Sequence, residues 1–196
     1  MGRVLRPLIL ASVSPRRREI LKGLGVPFRV VPSKAPEDTA ERNPRRLVLD
    51  LALRKAQAVA SRRKGALVLG ADTVVWSAGH ILQKPTDSKD ARRILGKLNG
   101  RWHRVYTGVA LVDAATGRSW RAVAMTRVKA RRLAPAQLEA LVGKHMDKAG
   151  AYAVQDTNDP FIEAGRGPFD NVVGLPLDTV RLLLKKMARS RTAKRR

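Results

Sequence analysis

The chain has 196 residues, with 40 Lys plus Arg against 16 Asp plus Glu, three His, no Cys, and only three Trp, two Tyr and three Phe. That length, with 44% hydrophobic residues, describes one globular domain able to bury roughly 70% of the surface its unfolded form exposes. The absence of cysteine excludes a disulfide framework, an iron–sulfur site and a thiol nucleophile, and the formal net charge of +24 attracts polyanions such as nucleic acid, nucleotide phosphates or acidic lipid.

Most of that charge lies outside the C-terminal stretch. Lys185 to Arg196 carries seven basic residues and no acidic one, and without it the chain still stands at +17. We expect a basic, disordered tail over 188–196, following a single catalytic domain over 1–187. No run approaches the ~18 apolar residues of a membrane span. Arg3 and Arg6 before Leu8-Ile9-Leu10-Ala11 imitate a signal peptide, but the apolar run is short and Ser14-Pro15-Arg16 follows at once, so it reads as a buried strand. A cytoplasmic setting is the default expectation.

Leu8 to Ala11 predicts a first strand, and Ser12 to Pro15 turns the chain into a helix over Arg16–Leu24 closed by Gly25. Phe28 to Val31 predicts a second strand. Asn43-Pro44 starts a helix in which Leu47, Val48, Leu51, Ala52, Lys55, Ala58 and Val59 recur at helical spacing, so Lys55 shares the inward face. Ala66 to Gly70 is another buried strand, ending beside Asp72. Val74 to Leu82 is a hairpin around Ser77 to His80, and Asp87 caps a helix ending at Asn99-Gly100. Trp102–Val112 and Ser119–Ala130 predict an antiparallel pair joined at Asp113 to Gly117. Pro135–Lys144 is a short helix, Ala149–Gln155 a strand, Asp156–Asn171 a loop and Leu177–Met187 a last helix. The mixture predicts an α/β class with a curved mixed sheet and flanking helices.

Ser12-Val13-Ser14-Pro15-Arg16-Arg17-Arg18 joins a strand end to a helix start. Backbone N–H groups, hydroxyls and guanidiniums there suit phosphate, although three arginines equally suit a solvated helix face or an RNA-binding patch. In Gly70-Ala71-Asp72-Thr73 a strand delivers a carboxylate to its end, as a general base, a metal ligand or simply a turn former. Lys84-Pro85, Glu37 and Gln155 carry no independent signal. Asn171 to Leu177 reads as mainly architectural, with Pro176 starting the last helix. His80, His103 and His145 lack the spacing of zinc ligands.

Taken in order, Leu10 to Arg18, Gly70 to Val75, Lys84-Pro85, Gly150-Ala151-Tyr152-Ala153-Val154-Gln155 and Asn171-Val172-Val173-Gly174-Leu175-Pro176-Leu177 resemble the Maf family, over Leu8 to about Met187. The resemblance implies a fold related to the inosine-triphosphate pyrophosphatases, with two lobes around a cleft. It also implies hydrolysis of nucleoside triphosphates to monophosphate and pyrophosphate with Mg²⁺ or Mn²⁺.

Residue by residue, the resemblance makes Asp72 the general base and a metal ligand and Glu37 an acidic residue serving the metal. Lys55 and Lys84 become phosphate-binding lysines, and Ser12, Arg16 and Arg17 belong to the phosphate loop. Arg16, Thr73 and Gln155 match the branch acting on dTTP and UTP. The branch acting on 7-methyl-GTP tends to have Trp, Gln and Glu there. Ser33-Lys34-Ala35-Pro36 stands where many members carry aspartates, so the metal site is either poorer in carboxylates or completed by Asp38. The rival readings are a purine triphosphate pyrophosphatase and a nucleic-acid-binding or septum-regulating protein with a vestigial site. A homodimer and weak nucleic-acid binding through the basic surface are the partners expected besides the nucleotide.

Overall fold

The computed structural model describes residues 6–155 and 160–192. Its elements are β1 (Leu8–Leu10), α1 (Pro15–Lys22), β2 (Phe28–Val30), α2 (Pro44–Ala60), β3 (Leu67–Ser77), β4 (His80–Leu82) and α3 (Ser88–Leu98). They continue with β5 (Trp102–Asp113), β6 (Ser119–Ala130), α4 (Pro135–Glu139), β7 (Ile162–Arg166), α5 (Phe169–Val173) and α6 (Leu177–Thr192). The fold is mixed α/β, as expected: a seven-stranded sheet ordered β2-β1-β3-β5-β6-β7, with β4 paired to β3, flanked by helices.

The chain divides into two compact units. The first comprises Met1–Asp72, Thr107–Ala124 and Gly174–Arg196, and the second Thr73–Tyr106 and Met125–Val173.

In the first unit β1 runs parallel to both β2 and β3. β1 is buried and apolar on both faces because a helix layer covers each face. Leu8, Leu10, Leu67, Leu69 and Ala71 pack with Leu21 of α1 and with Val180, Leu183 and Met187 of α6. Ile9, Ala11 and Val68 turn the other way and pack with Ala52, Ala56 and Val59 of α2. Strand alternation thus sorts one apolar run into two cores.

Helix α2 lies unusually close to the sheet, and two glycines permit it. A Cβ on Gly70 of β3 would stand 2.2 Å from the Ala52 carbonyl oxygen and 2.9 Å from the Ala56 nitrogen. One on Gly108 of β5 would stand 2.2 Å from the Val48 carbonyl oxygen. Val48, Ala52 and Ala56 are spaced by four, so they form one stripe of the helix laid on two bare strand positions. This corrects the reading of Gly70 as the end of the strand and of Asp72 as a residue at its terminus. β3 runs straight through Gly70 and Asp72 to Ser77, and the glycine serves close packing.

In the second unit Ala91, Ile94, Leu95 and Leu98 of α3 pack onto one sheet face with Val75, Val105, Val128, Tyr152 and Phe161. Asp87 caps α3, its side chain accepting from the Asp90 N–H at 2.7 Å. Four expectations differ from the structure, three of them in this unit. Ala149–Gln155 is not a strand: a 3₁₀ turn spans Ala149–Ala151, with φ of +83° at Gly150 and +60° at Ala151, which a strand cannot accommodate. Tyr152 is instead drawn into the core, where its hydroxyl shares a 2.8 Å hydrogen bond with His103 Nε2. The expected loop over 156–171 contains β7 and α5; its residues 156–159 lie outside those described. β7 owes its place to pairing with β6, a nonlocal cause invisible in its own sequence. The helix expected over Pro135–Lys144 stops at Glu139, and α6 continues past Met187 to Thr192.

Two predictions follow from the packing. Gly70→Ala drives a methyl group into the α2 backbone and should cost about 3 kcal/mol, read as a lower urea midpoint, since overpacking against backbone has no cheap relief. Gly96→Ala, at an α3 position where a Cβ meets nothing within 4 Å, should instead stabilise by about 0.5–1 kcal/mol.

Burial holds the His103 imidazole down from 6.5 to about 4. Between those values the unfolded chain binds the proton and the folded chain does not. Stability from this residue is therefore full above pH 6.5 and falls progressively as pH drops toward 4, by roughly 3 kcal/mol. His103→Gln should flatten that part of the profile in urea titrations run from pH 7 to pH 4.

Candidate active site

The site is built on the face of the first unit that α2 covers. Asn43 caps this helix by accepting from the Arg45 and Arg46 N–H groups at 3.0 and 3.3 Å, and Pro44 fills its first turn. Three residues beyond Ala52, whose carbonyl rests over Gly70, the same helix presents Lys55. Asp72 lies two residues beyond Gly70 on β3, hence on the same sheet face. The close seat of the helix therefore brings Lys55 Nζ to 2.6 Å from Asp72 Oδ1.

That pair is nearly sealed from water: the two side chains are 11% and 9% exposed. A third charge reaches it from the irregular segment before α2, where Glu37 Oε1 stands 2.7 Å from the same Nζ. Arg54, one residue before Lys55, fastens this segment. Its Nη1 donates to the Asp38 carbonyl at 2.9 Å while its Nη2 pairs with Asp50 at 2.5 Å. Two carboxylates thus converge on one ammonium.

The turn between β1 and α1 contributes the other half of the electrostatics. Ser12 is buried and its Oγ accepts the Ser14 N–H at 3.2 Å, while Ser14 caps α1 by accepting from the Arg17 N–H at 3.4 Å. Pro15 occupies the first helical position, so the chain enters the helix in a fixed direction. Arg17 Nε donates to the Gly174 carbonyl at 2.8 Å. Burial pushes the Arg17 guanidinium below its usual value; Asp72 and Glu37 pull it upward, and neighbouring Arg16 pushes it down. It stays cationic, since no protein environment deprotonates arginine near neutrality. Arg17, Arg16, Lys55, Asp72 and Glu37 form a single electrostatic group.

The structure therefore unites Ser12, Arg16, Arg17, Glu37, Lys55 and Asp72 in one unit. Thr73, Lys84 and Gln155 belong to the other unit, Lys84 and Gln155 as exposed side chains. Thr73 follows Asp72 on β3 and so leaves the strand on the opposite face. Sequence reasoning missed Gly174, whose carbonyl anchors Arg17, because a backbone acceptor leaves no trace in residue type.

Among the described residues no group of three or more His, Asp or Glu could hold a metal ion. Glu37 and Asp72 are a two-carboxylate set. Such a set suits a hard cation that keeps waters and shares substrate phosphates, and it is too small for a self-sufficient protein cage. No helix among the described residues is long and apolar enough to cross a membrane.

A family model described as Maf-like protein matches residues 7–187. A protein of Elusimicrobium minutum named dTTP/UTP pyrophosphatase is 45% identical over 179 residues, 91% of this chain and 97% of its own length. Proteins of the same name from Gloeobacter violaceus and Salinibacter ruber are 48% and 49% identical, covering 93% and 87% of this chain and 96% and 86% of their own lengths. The crystal structure of a nucleoside-triphosphatase / dITP/XTP pyrophosphatase from Mycobacterium abscessus aligns over 95% of this chain and 97% of that one. At 16% identity and a TM-score of 0.46, that likeness carries no weight for fold or site.

The convergence on Lys55 makes a stability prediction. Lys55→Met leaves Asp72 buried without its partner and should lower stability by about 2–3 kcal/mol in urea unfolding. Adding Asp72→Asn to that variant should recover part of the loss, because the uncompensated buried charge is removed with it.

Proposed function

The chain belongs to the Maf family, and on that premise we propose that it hydrolyses dTTP and UTP to the nucleoside monophosphate and pyrophosphate. The observation that carries the reading is the sealed Lys55–Asp72 pair with Glu37 and Arg17 around it, in a chain whose relatives at 45–49% identity are named for that activity. The nucleotide substrate makes the cytoplasm the natural setting.

The reaction adds a water oxygen to the α-phosphorus and breaks the bond from that phosphorus to the oxygen bridging to the β-phosphate; the water's proton must leave. Catalysis of this kind is mostly positioning and charge neutralisation. Asp72 accepts the proton, with Lys55 fixing the direction of its carboxylate through the 2.6 Å hydrogen bond. Arg16 and Arg17, with the N–H groups at the start of α1 and the Ser12 hydroxyl, take the phosphate oxygens. The Gly174 carbonyl holds Arg17 ready for that task.

Glu37 and Asp72 are the residues that would hold Mg²⁺ or Mn²⁺, which when bound neutralises charge gathering on the departing pyrophosphate. Asp38 does not complete this set as expected, since among the described residues no group of three such side chains is close enough to hold a metal ion. Lys84 as a phosphate ligand, and Thr73 and Gln155 as selectors of the base, enter from the family pattern alone.

Purified protein with Mg²⁺ or Mn²⁺ should release pyrophosphate from dTTP and UTP in preference to 7-methyl-GTP and the unmodified purine triphosphates. Asp72→Asn should reduce the release at least about a hundredfold while circular dichroism stays native. Undiminished turnover by that variant would remove Asp72 from the mechanism. A preference for 7-methyl-GTP would overturn the pyrimidine assignment.

A further inference from the structure

The second unit has a sheet face that its own helices leave open. His103, Val105, Val128 and Ala130 point to the α3 side and are buried. The alternate residues of the same strands, Trp102, Arg104 and Arg127, point the other way and are exposed, as is Arg166 of β7. Trp102 is 38% exposed, a large apolar ring left in solvent.

These residues are organised. β6 and β7 are antiparallel and Arg127 stands directly opposite Arg166. Both guanidiniums lie over the Trp102 ring, at 5.2 and 5.3 Å from its centroid. Next along β5, Arg104 lies 5.0 Å over the ring of Trp76 on β3. Among the described residues no carboxylate pairs with Arg104, Arg127 or Arg166. Glu163 is the acidic residue of β7, and it lies beside the register shift at Lys129/Ala130. Like charges directly across a strand pair oppose folding. Stacking on tryptophan offsets part of that cost, and an anion laid between them would remove it.

We propose that this face binds single-stranded nucleic acid. Its two elements are those such a ligand needs: indole and guanidinium planes on which unstacked bases lie, and unpaired cations for the phosphates between them. A duplex offers no free base faces. A second copy of the chain would set arginine against arginine. The inference stands apart from the nucleotide chemistry of Asp72 and uses none of its residues. It also gives a use to part of the +17 that the candidate active site leaves over.

The test is fluorescence anisotropy with a labelled oligodeoxyadenylate, whose base differs from that of the proposed substrates, beside inorganic polyphosphate as an anion without bases. Trp102→Leu should weaken the oligonucleotide about tenfold and leave polyphosphate unchanged. The Arg127→Gln, Arg166→Gln pair should weaken both and reduce the slope of log affinity against log salt by about 1.4, or 0.7 for each lost phosphate contact. All these variants should release pyrophosphate from dTTP at the parent rate and keep the parent dichroism spectrum; the arginine pair, being exposed, carries the test should Trp102→Leu unfold. Oligonucleotide affinity unchanged in both variants would overturn the proposal. So would equal weakening of oligonucleotide and polyphosphate by Trp102→Leu, or sedimentation showing that the variants only break a dimer.

Discussion

Everything chemical in this chain depends on how near one helix backbone comes to the sheet. With side chains at positions 70 and 108, α2 would stand off by the thickness of a methyl group, and its carbonyls at Ala52 and Val48 could not rest where they do. Lys55 would then fall short of Asp72, or reach it only by drawing in water. Close packing in an interior is normally a matter of stability. Here it also sets the length of a 2.6 Å ion pair between a helix and a strand.

The charges follow from that seat. A carboxylate with 9% exposure is tolerable only beside a cation, and Lys55 is the cation the helix supplies. Because Glu37 meets the same ammonium from an exposed segment, the three-charge group has one firm side and one open side. Arg17 adds a second, half-buried cation, held by a backbone carbonyl. A polyphosphate entering such a group meets cations already in place, with little reorganisation left to do, which is the condition under which electrostatic catalysis is effective.

The fold class was legible from residue order, because apolar runs of strand type alternate with capped helices: Asn43-Pro44 and Asp87 mark helix starts and both do so in the structure. The candidate residues Ser12, Arg17, Glu37, Lys55 and Asp72 were legible as a set only through the motif resemblance; spacing alone singled out the arginines and Asp72 and left Glu37 silent. What sequence reasoning got wrong was nonlocal. Gly70 looked like a strand end because glycine's two uses, conformational freedom and lack of a side chain, are identical in sequence. Ala149–Gln155 looked like a strand because it is a short, nearly continuous apolar run, yet Gly150 and Ala151 adopt left-handed backbone and Tyr152 turns inward to His103. β7 has two glycine or alanine residues and two charges in five positions, and only the partner strand makes it one.

The most direct test of the account is a crystal structure with Mg²⁺ and a dUTP analogue whose α,β-bridge is nitrogen and resists hydrolysis. The account predicts the α-phosphate facing Asp72, with phosphate oxygens on Arg17 and a water between Asp72 and the α-phosphorus, opposite the bridging nitrogen. An analogue bound elsewhere, with Lys55, Asp72 and Glu37 still closed on one another, would contradict it.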